Sequence, residues 1–222
     1  MMAPRRCEVC GLPLENQIRQ YEFICQKCSD LLPAAPSSDT ILNRFITNFP
    51  KDLVSISNFY SLFSFNEDKD YIKIIYSLKY AGFKRVGTEF GKELGKLILE
   101  KSGTDYSAII PIPIHHARMR ERGFNQSDVI AAGISTIINI PVNNKIIRRS
   151  KYTKTQTLLT KAERKTNVND VFVPFNNHIN IKGKYFLLID DVLTTGSTIN
   201  SCGNVLLEMG AKRIDCATLA CA

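Results

Sequence analysis

The 222-residue sequence lacks any uncharged apolar run near the length of about 20 residues that a membrane-spanning helix needs. Its first residues also lack the apolar segment of a secretory signal, so we expect the protein to stay in the cytoplasm. Acidic residues are in the minority, because 21 Asp and Glu stand against 29 Lys and Arg, a formal charge of +8. A hydrophobic share of 44% and a charged share of 23% are typical of a folded protein and argue against disorder.

Seven cysteines are present, and in a reducing compartment they indicate metal ligands or buried thiols rather than disulfides. Four of them, Cys7, Cys10, Cys25 and Cys28, form a C-x2-C-x14-C-x2-C arrangement. Each C-x2-C pair can direct two thiolates at one ion, and two pairs complete a tetrahedron. We predict a closed, structural zinc site, with iron as the alternative metal.

The chain divides after this cysteine motif. Residues 31–38 are mostly small and proline-rich, which predicts a linker. We therefore expect a zinc-binding knuckle over residues 1–35 and a larger domain over residues 36–222.

Strands and helices alternate along the larger domain. The predicted strands lie at residues 53–65, 108–114, 145–149, 185–190 and 214–219, and the predicted helices at residues 68–80, 84–101, 126–139 and 197–209. Three glycines four residues apart, Gly87, Gly91 and Gly95, predict close packing of one helix on a sheet. The alternation predicts an α/β fold with a parallel sheet, whose ligands bind beyond the carboxyl ends of the strands. We expect the site in the loops at 111–125 and 190–198.

The segment 185–198 carries the most specific chemistry. A buried strand is predicted to end in two carboxylates, Asp190 and Asp191, which can accept hydrogen bonds from a vicinal diol. A loop rich in hydroxyl groups then opens a helix, whose free N–H groups and dipole favour a phosphate. The residues of this loop are Thr194, Thr195, Gly196, Ser197 and Thr198. Together the two halves predict a ribose 5-phosphate ligand.

Positive charge concentrates near the same predicted rim. Between Lys145 and Lys165 there are eight Lys or Arg and one acid, a net charge of +7. One interpretation is a solvated charged loop. The other is a surface for pyrophosphate or DNA, because polar side chains are interleaved with the cations and apolar periodicity is absent. The candidate anion-binding cations are Arg118, Arg120, Arg122, Arg148, Arg149, Lys151, Lys154 and Arg164.

The run Ile189–Thr198 resembles the phosphoribosyl-pyrophosphate (PRPP) signature of type I phosphoribosyltransferases. The order of a four-cysteine knuckle, Ile110-Pro111-Ile112-Pro113, an Arg-Gly-Phe-Asn-Gln string at 122–126 and the PRPP signature resembles the competence-associated ComF family. This resemblance implies a type I phosphoribosyltransferase-like fold in which Asp190 and Asp191 hold the ribose hydroxyls and residues 194–198 hold the 5-phosphate. Related bacterial proteins are linked to DNA uptake in transformation or to the use of DNA as a nutrient.

Three functions are left open by these motifs. The favoured hypothesis is a scaffold that binds a phosphoribosyl ligand, single-stranded DNA and a partner ATPase or helicase of the competence system. The second is a working PRPP-dependent transferase in nucleotide salvage, for which Mg²⁺ would arrive with PRPP. The third is a catalytically silent nucleotide sensor. The first is favoured because the sequence stops at Ala222, after the last predicted strand, and no C-terminal hood that reads a base is expected.

Overall fold

The structure is a computed structural model that describes residues 5–14, 21, 23–64, 84–102, 105–150, 171–176 and 179–222. Its main sheet has four parallel strands in the order β1-β6-β5-β2, namely β1 (Asn58–Ser64), β2 (Ala108–Pro111), β5 (Tyr185–Leu193) and β6 (Arg213–Cys221). A second, antiparallel pair consists of β3 (Ile147–Arg149) and β4 (Phe172–Pro174). The helices are α1 (Gln26–Asp30), α2 (Ser38–Thr47), α3 (Lys84–Ser102), α4 (His116–Arg122), α5 (Gln126–Ile138) and α6 (Ser197–Glu208), with a 3-10 turn at Lys51–Leu53.

The side chains of β5 alternate between two apolar cores. Leu187 and Ile189 belong to the core that contains α3 and α5. Phe186 and Leu188 belong to the opposite core, which contains residues of α2, α6 and the β3–β4 pair. Helices on both faces of a parallel sheet explain why its strands read as continuous apolar runs. The predicted α/β class is confirmed.

Both edges of the sheet are covered by extended chain. Along β1, the Ala35 amide donates to Leu62 O at 3.0 Å and the Ser64 amide donates to Pro33 O at 2.9 Å. Along β2, the Ile109 amide donates to Pro141 O at 2.9 Å. The segment predicted as a linker therefore completes one edge of the sheet, because backbone groups of an edge strand need partners.

Residues of the N-terminal cysteine region share a core with the sheet. The rings of Tyr21 and Phe23 lie 5.0 and 5.1 Å from the ring of Phe90 in α3, centroid to centroid. Phe63 of β1 approaches the same Phe90 ring at 5.1 Å. This aromatic cluster attaches the cysteine region to α3 and the sheet, since such pairs contribute beyond the area that they bury.

Several boundaries differ from the prediction for local reasons. β5 continues to Leu193 instead of ending at Asp190, because its last residues still pair with β6. The predicted loop at 115–125 contains α4, which begins after His115 and ends at Gly123 in a left-handed conformation. β3 pairs with β4 outside the parallel sheet. Helix α2 was not predicted, and the helix predicted at 68–80 lies outside the described residues.

The glycines of α3 pack against a helix, so the predicted contact with a sheet is wrong for Gly91. A Cβ on Gly91 would lie 2.3 Å from Ile130 O of α5, and a Cβ on Gly133 would lie 2.2 Å from Thr88 O of α3. The two backbones therefore touch at this crossing, which only a residue without a side chain permits.

A buried ionic cluster lies near the amino ends of the strands, away from the predicted ligand edge. The Tyr106 hydroxyl donates to Asp215 Oδ2 at 2.6 Å, and Arg213 Nη2 donates to the same oxygen at 2.6 Å. Asp215 is fully buried. Burial and the Asp215 carboxylate together raise the pKa of Tyr106 well above its ordinary value, so its hydroxyl stays a donor.

We predict that Gly133→Ala destabilises the fold by about 1–3 kcal/mol, because the added methyl group forces α3 and α5 apart. Urea unfolding monitored by circular dichroism measures the change. The matched control is Ala132→Ser, an exposed neighbour on the same helix, which should stay within about 0.5 kcal/mol of the unmodified protein. Equal stability of the two variants would contradict the close helix contact.

Candidate functional site

The two predicted acidic residues lie near the carboxyl end of β5, and both are half-buried. Asp190 Oδ1 accepts from the Asp191 amide at 2.9 Å and from Ser127 Oγ of α5 at 3.4 Å. These contacts orient the Asp190 carboxylate. Two carboxylates near a strand end provide acceptors for the hydroxyl groups of a sugar.

The predicted phosphate loop leads directly from β5 into α6. Gly196 has φ +77°, and it precedes the first helical residue, Ser197. Thr195 Oγ1 lies 3.1 Å from Ser197 Oγ and accepts weakly from the Ser197 amide at 3.4 Å. Thr194, Thr195, Ser197 and Thr198 are exposed. Exposed hydroxyls beside the N-terminus of a 12-residue helix form an arrangement that binds anions.

Three consecutive buried polar residues bring a second element to this edge. Asn125 caps α5, accepting from the Ser127 amide at 3.3 Å, and its Nδ2 donates to Ile112 O at 3.0 Å. Asn125, Gln126 and Ser127 are each less than 5% exposed. No role was predicted for Asn125 or Ser127. Asn125 lies in the Arg-Gly-Phe-Asn-Gln string and Ser127 directly follows it, and that string was the signal that could have found them.

Cations from two separate elements surround His115. Desolvation lowers the pKa of His115, and the positive charges of His116, Arg149, Arg120 and Arg118 lower it further. His115 and His116 also stack, with ring centroids 4.0 Å apart. Positive charge gathered in this way favours an anionic ligand.

Asp190 and Arg149 have opposite effects on the pKa of one buried thiol. Burial raises the pKa of the Cys202 thiol, the Asp190 carboxylate raises it further, and Arg149 acts in the opposite direction. Both charges therefore act on one buried thiol in α6. Phe172 of β4 lies under the Arg149 guanidinium, 5.4 Å from the ring centroid, and helps to fix its position.

The structure describes most of the predicted cations, but not all of them. Arg118 and Arg120 are exposed on α4, Arg122 is half-buried at its end, and Arg148 is exposed on β3. Among the described residues, no carboxylate forms an ion pair with Arg118, Arg120 or Arg148. The remaining predicted cations, Lys151, Lys154 and Arg164, lie outside the described residues.

The four N-terminal cysteines converge, as predicted. Their sulfur atoms, on Cys7, Cys10, Cys25 and Cys28, all lie within 4.8 Å of one another. Cys10 Sγ and Cys25 Sγ are 3.8 Å apart. A tetrahedral zinc site with bonds of about 2.3 Å requires sulfur atoms about 3.8 Å apart, so the donor set fits this metal.

The ionisation of these thiols also favours a bound cation. Burial raises the pKa of Cys7, but the backbone amides of Cys10, Cys25 and Val9 donate to its sulfur and bring the net pKa down to about 7. Burial and the three neighbouring cysteines raise the pKa of Cys28. Four thiols so close together cannot all ionise unless a positive ion neutralises the resulting thiolates. The remaining cysteines, Cys202, Cys216 and Cys221, are buried core thiols.

The chain is similar to known proteins along most of its length. Residues 125–221 match the phosphoribosyl transferase domain family. Competence protein F of Haemophilus influenzae is 36% identical over 113 residues, which are 51% of this chain and 49% of that protein. The match therefore spans about half the length of that relative. DNA utilization protein YhgH of Escherichia coli is 25% identical over 99% of this chain and 100% of its own length. Competence protein ComFC of Bacillus subtilis is 27% identical over 92% of this chain and 72% of its own length.

Solved phosphoribosyltransferase structures are also similar, at low identity. A glutamine PRPP amidotransferase from B. subtilis has a TM-score of 0.45 and 18% identity, over 65% of this chain and 30% of its own. A purine phosphoribosyltransferase from Pyrococcus horikoshii has a TM-score of 0.41 and 22% identity, over 65% of this chain and 76% of its own.

The parallel sheet, the strand–loop–helix site and the matched domain define a protein with the type I phosphoribosyltransferase-like fold. The competence and DNA-utilization relatives confirm the resemblance seen in the motifs, which is to the phosphoribosyltransferase-like proteins of the ComF family. No described helix has both the length and the apolar composition that crossing a bilayer requires.

We predict that the purified protein carries about one zinc ion per chain, held by the four thiolates. Cys25→Ser should lose the metal and destabilise the N-terminal region, because three thiolates and a hydroxyl form a weaker site. Metal analysis by mass spectrometry measures both samples. Cys216→Ser, a change at a buried cysteine outside the cluster, is the control and should keep its zinc. A native protein that folds without metal would contradict this prediction.

We also predict that Gly196→Val abolishes phosphate binding. A Cβ at this position would lie 2.4 Å from the Phe45 ring, and φ +77° disfavours a β-branched residue. Gly183→Val is the matched control, because Gly183 has φ +72° but no atom within 4 Å of the added Cβ. Calorimetric titration with phosphate and PRPP measures the effect. Normal binding by the Gly196 variant would show that the anion binds elsewhere.

Proposed function

We propose that the protein binds PRPP, or a related phosphoribosyl ligand, at the carboxyl edge of its sheet. The arrangement that carries this proposal is the pair Asp190 and Asp191 next to the loop 194–198. Carboxylate acceptors suit the ribose hydroxyls, while the start of α6 suits the 5-phosphate. The spacing between the two is set by one continuous strand–loop–helix segment, so a single ligand can reach both.

The cations of α4 and β3 supply the third part of this proposed site. Arg118 and Arg120 are exposed on α4, and the Arg149 guanidinium of β3 lies over the Phe172 ring, 5.4 Å from its centroid. A pyrophosphate group on the ribose would extend towards these charges. Mg²⁺ would accompany the pyrophosphate, since this ion prefers substrate phosphates and water to a protein cage.

We further propose that single-stranded DNA binds to the exposed cations of α4 and β3 and to the basic sequence that follows β3. Its net charge of +7 between Lys145 and Lys165 supports backbone contacts that do not depend on sequence. The names of the relatives, which refer to competence and DNA utilization, support a role in DNA uptake or use. A competence ATPase or helicase would be the partner, and a reducing cytoplasm would suit the free thiols.

An active transferase in nucleotide salvage is the second candidate. It is supported by the acidic pair, the anion-binding loop and the nearby arginine, which together could hold PRPP while positive charge develops on the ribose. Release of pyrophosphate with one nucleobase, and none without it, would favour this candidate over a DNA-binding scaffold or a silent sensor.

The test is a paired titration with PRPP·Mg²⁺ and fluorescent single-stranded DNA. The double variant Asp190→Asn, Asp191→Asn should lose PRPP binding but bind DNA equally well or more tightly, because two repulsive charges disappear. The variant Arg148→Ala, Arg149→Ala, Lys151→Ala, Lys154→Ala should weaken DNA binding and flatten its salt dependence by about one phosphate per lost contact.

A second quadruple variant controls for the change in net charge. Lys101, Lys182, Lys184 and Lys212 precede the starts of strands β2, β5 and β6, at the amino edge of the sheet, and all four are exposed. Their replacement by alanine removes the same charge and should leave DNA affinity nearly unchanged. A DNA affinity that does not change with salt concentration, or that falls equally in both quadruple variants, would contradict the proposed surface.

A further inference from the structure

A segment far away in sequence holds the phosphate loop in place. At the end of α2, the Phe45 ring lies where a side chain at Gly196 would be. Asn48 Nδ2 donates to Thr195 O at 3.3 Å. Two groups of one helix end therefore contact two consecutive residues of the loop 194–198.

A buried hydrogen-bond cluster attaches the same segment to the first turn of α6. Asn200 Oδ1 accepts from the Ser55 amide at 3.0 Å and from Ser55 Oγ at 2.8 Å. Asn200 Nδ2 donates to Leu53 O at 2.9 Å. Ser55 and Asn200 are 4% and 5% exposed. The Asn200 amide donates to Gly196 O at 2.8 Å. The cluster is therefore bonded directly to the backbone of the loop.

The packing around Ser55 leaves little room for movement. A Cβ on Gly203, one turn further along α6, would lie 2.2 Å from Ser55 Oγ. Buried polar groups are costly unless they are hydrogen-bonded, and asparagine is a weak helix former. An apolar residue at position 200 would leave the Ser55 amide and Leu53 O without these partners. The cluster therefore holds residues 53–55 in a defined position against the first turn of α6.

We propose that Asn200 and Ser55, together with Asn48, are positioning residues that fix the loop 194–198 in its anion-binding conformation. This inference rests on the proposed function, because it assumes that the loop holds the 5-phosphate. Gly196 itself offers no side chain to cap α6, and the weak bond from the Ser197 amide to Thr195 Oγ1 comes from within the loop. Amide groups bind an anion well only if their directions are set before it arrives, since otherwise binding must order them. The segment 45–55 supplies that order from outside the loop.

Two variants and two controls test the inference. Asn200→Ala removes the cluster, and Asn48→Ala removes the contact with Thr195 O. Asn43→Ala, at an exposed position of α2, is the control for Asn48. Tyr106→Phe removes a buried hydrogen bond at the opposite edge of the sheet and is the control for lost stability. All variants are measured at a temperature at which circular dichroism shows them folded.

The first readout is the affinity for PRPP·Mg²⁺ by calorimetry. We expect Asn200→Ala to weaken binding about tenfold and Asn48→Ala a few-fold, while both controls stay within about twofold of the native protein. Native affinity in folded Asn200→Ala and Asn48→Ala would overturn the inference. If Asn200→Ala does not fold, Asn48→Ala against Asn43→Ala decides the outcome.

The second readout needs no ligand and separates the inference from the proposed function. Amide hydrogen exchange at residues 194–200 should accelerate in Asn200→Ala and not in Tyr106→Phe, because the loop loses its external support. If the native protein fails to bind PRPP, the proposed function is wrong, and the exchange measurement alone then decides the inference. Unchanged exchange in the loop of Asn200→Ala would overturn it.

Discussion

Strand β5 has neighbours on both edges and a core on both faces, and the rest of the structure depends on this constraint. β2 and β6 satisfy its backbone hydrogen bonds, while its side chains alternate between two apolar cores. A strand buried in this way can place charged groups only near its end. Asp190 and Asp191 are half-buried there, and the chain must then leave the sheet through Gly196 into α6. The position of the candidate site thus follows from where β2 ends, because beyond Ile189 the strand β5 pairs only with β6.

The sequence predicted the elements with strong local signals. Apolar periodicity located α3, α5, α6 and the central strands within a few residues, and the spacing of the cysteines predicted their convergence. The continuation of β5 beyond Asp190 was missed, because two acidic residues suggest a strand end and only the pairing with β6 shows otherwise. The β3–β4 pair was also missed. Its strands have three residues each, and more than 20 residues separate them, so no local pattern indicates that they pair.

The candidate site was predictable in its ligand-facing residues and not in their support. Asp190, Asp191 and the loop 194–198 stand together in one segment, so a pattern in sequence can be read as a pattern in space. Asn200 and Ser55 are 145 residues apart, and each looks ordinary in its own surroundings. Contacts of this kind depend on how α2 crosses the loop. A single sequence holds no signal for that crossing.

The charges at the carboxyl edge of the sheet distinguish the two proposed ligands. A phosphoribosyl ligand offers both hydroxyls and phosphates, so it can match the carboxylates of Asp190 and Asp191 as well as the arginines of α4 and β3. A DNA backbone has no vicinal diol, and its phosphates would be repelled by the same carboxylates. DNA should therefore follow the basic surface and avoid the acidic pair. The two proposed ligands therefore share the arginines of α4 and β3, and only the phosphoribosyl ligand uses Asp190 and Asp191.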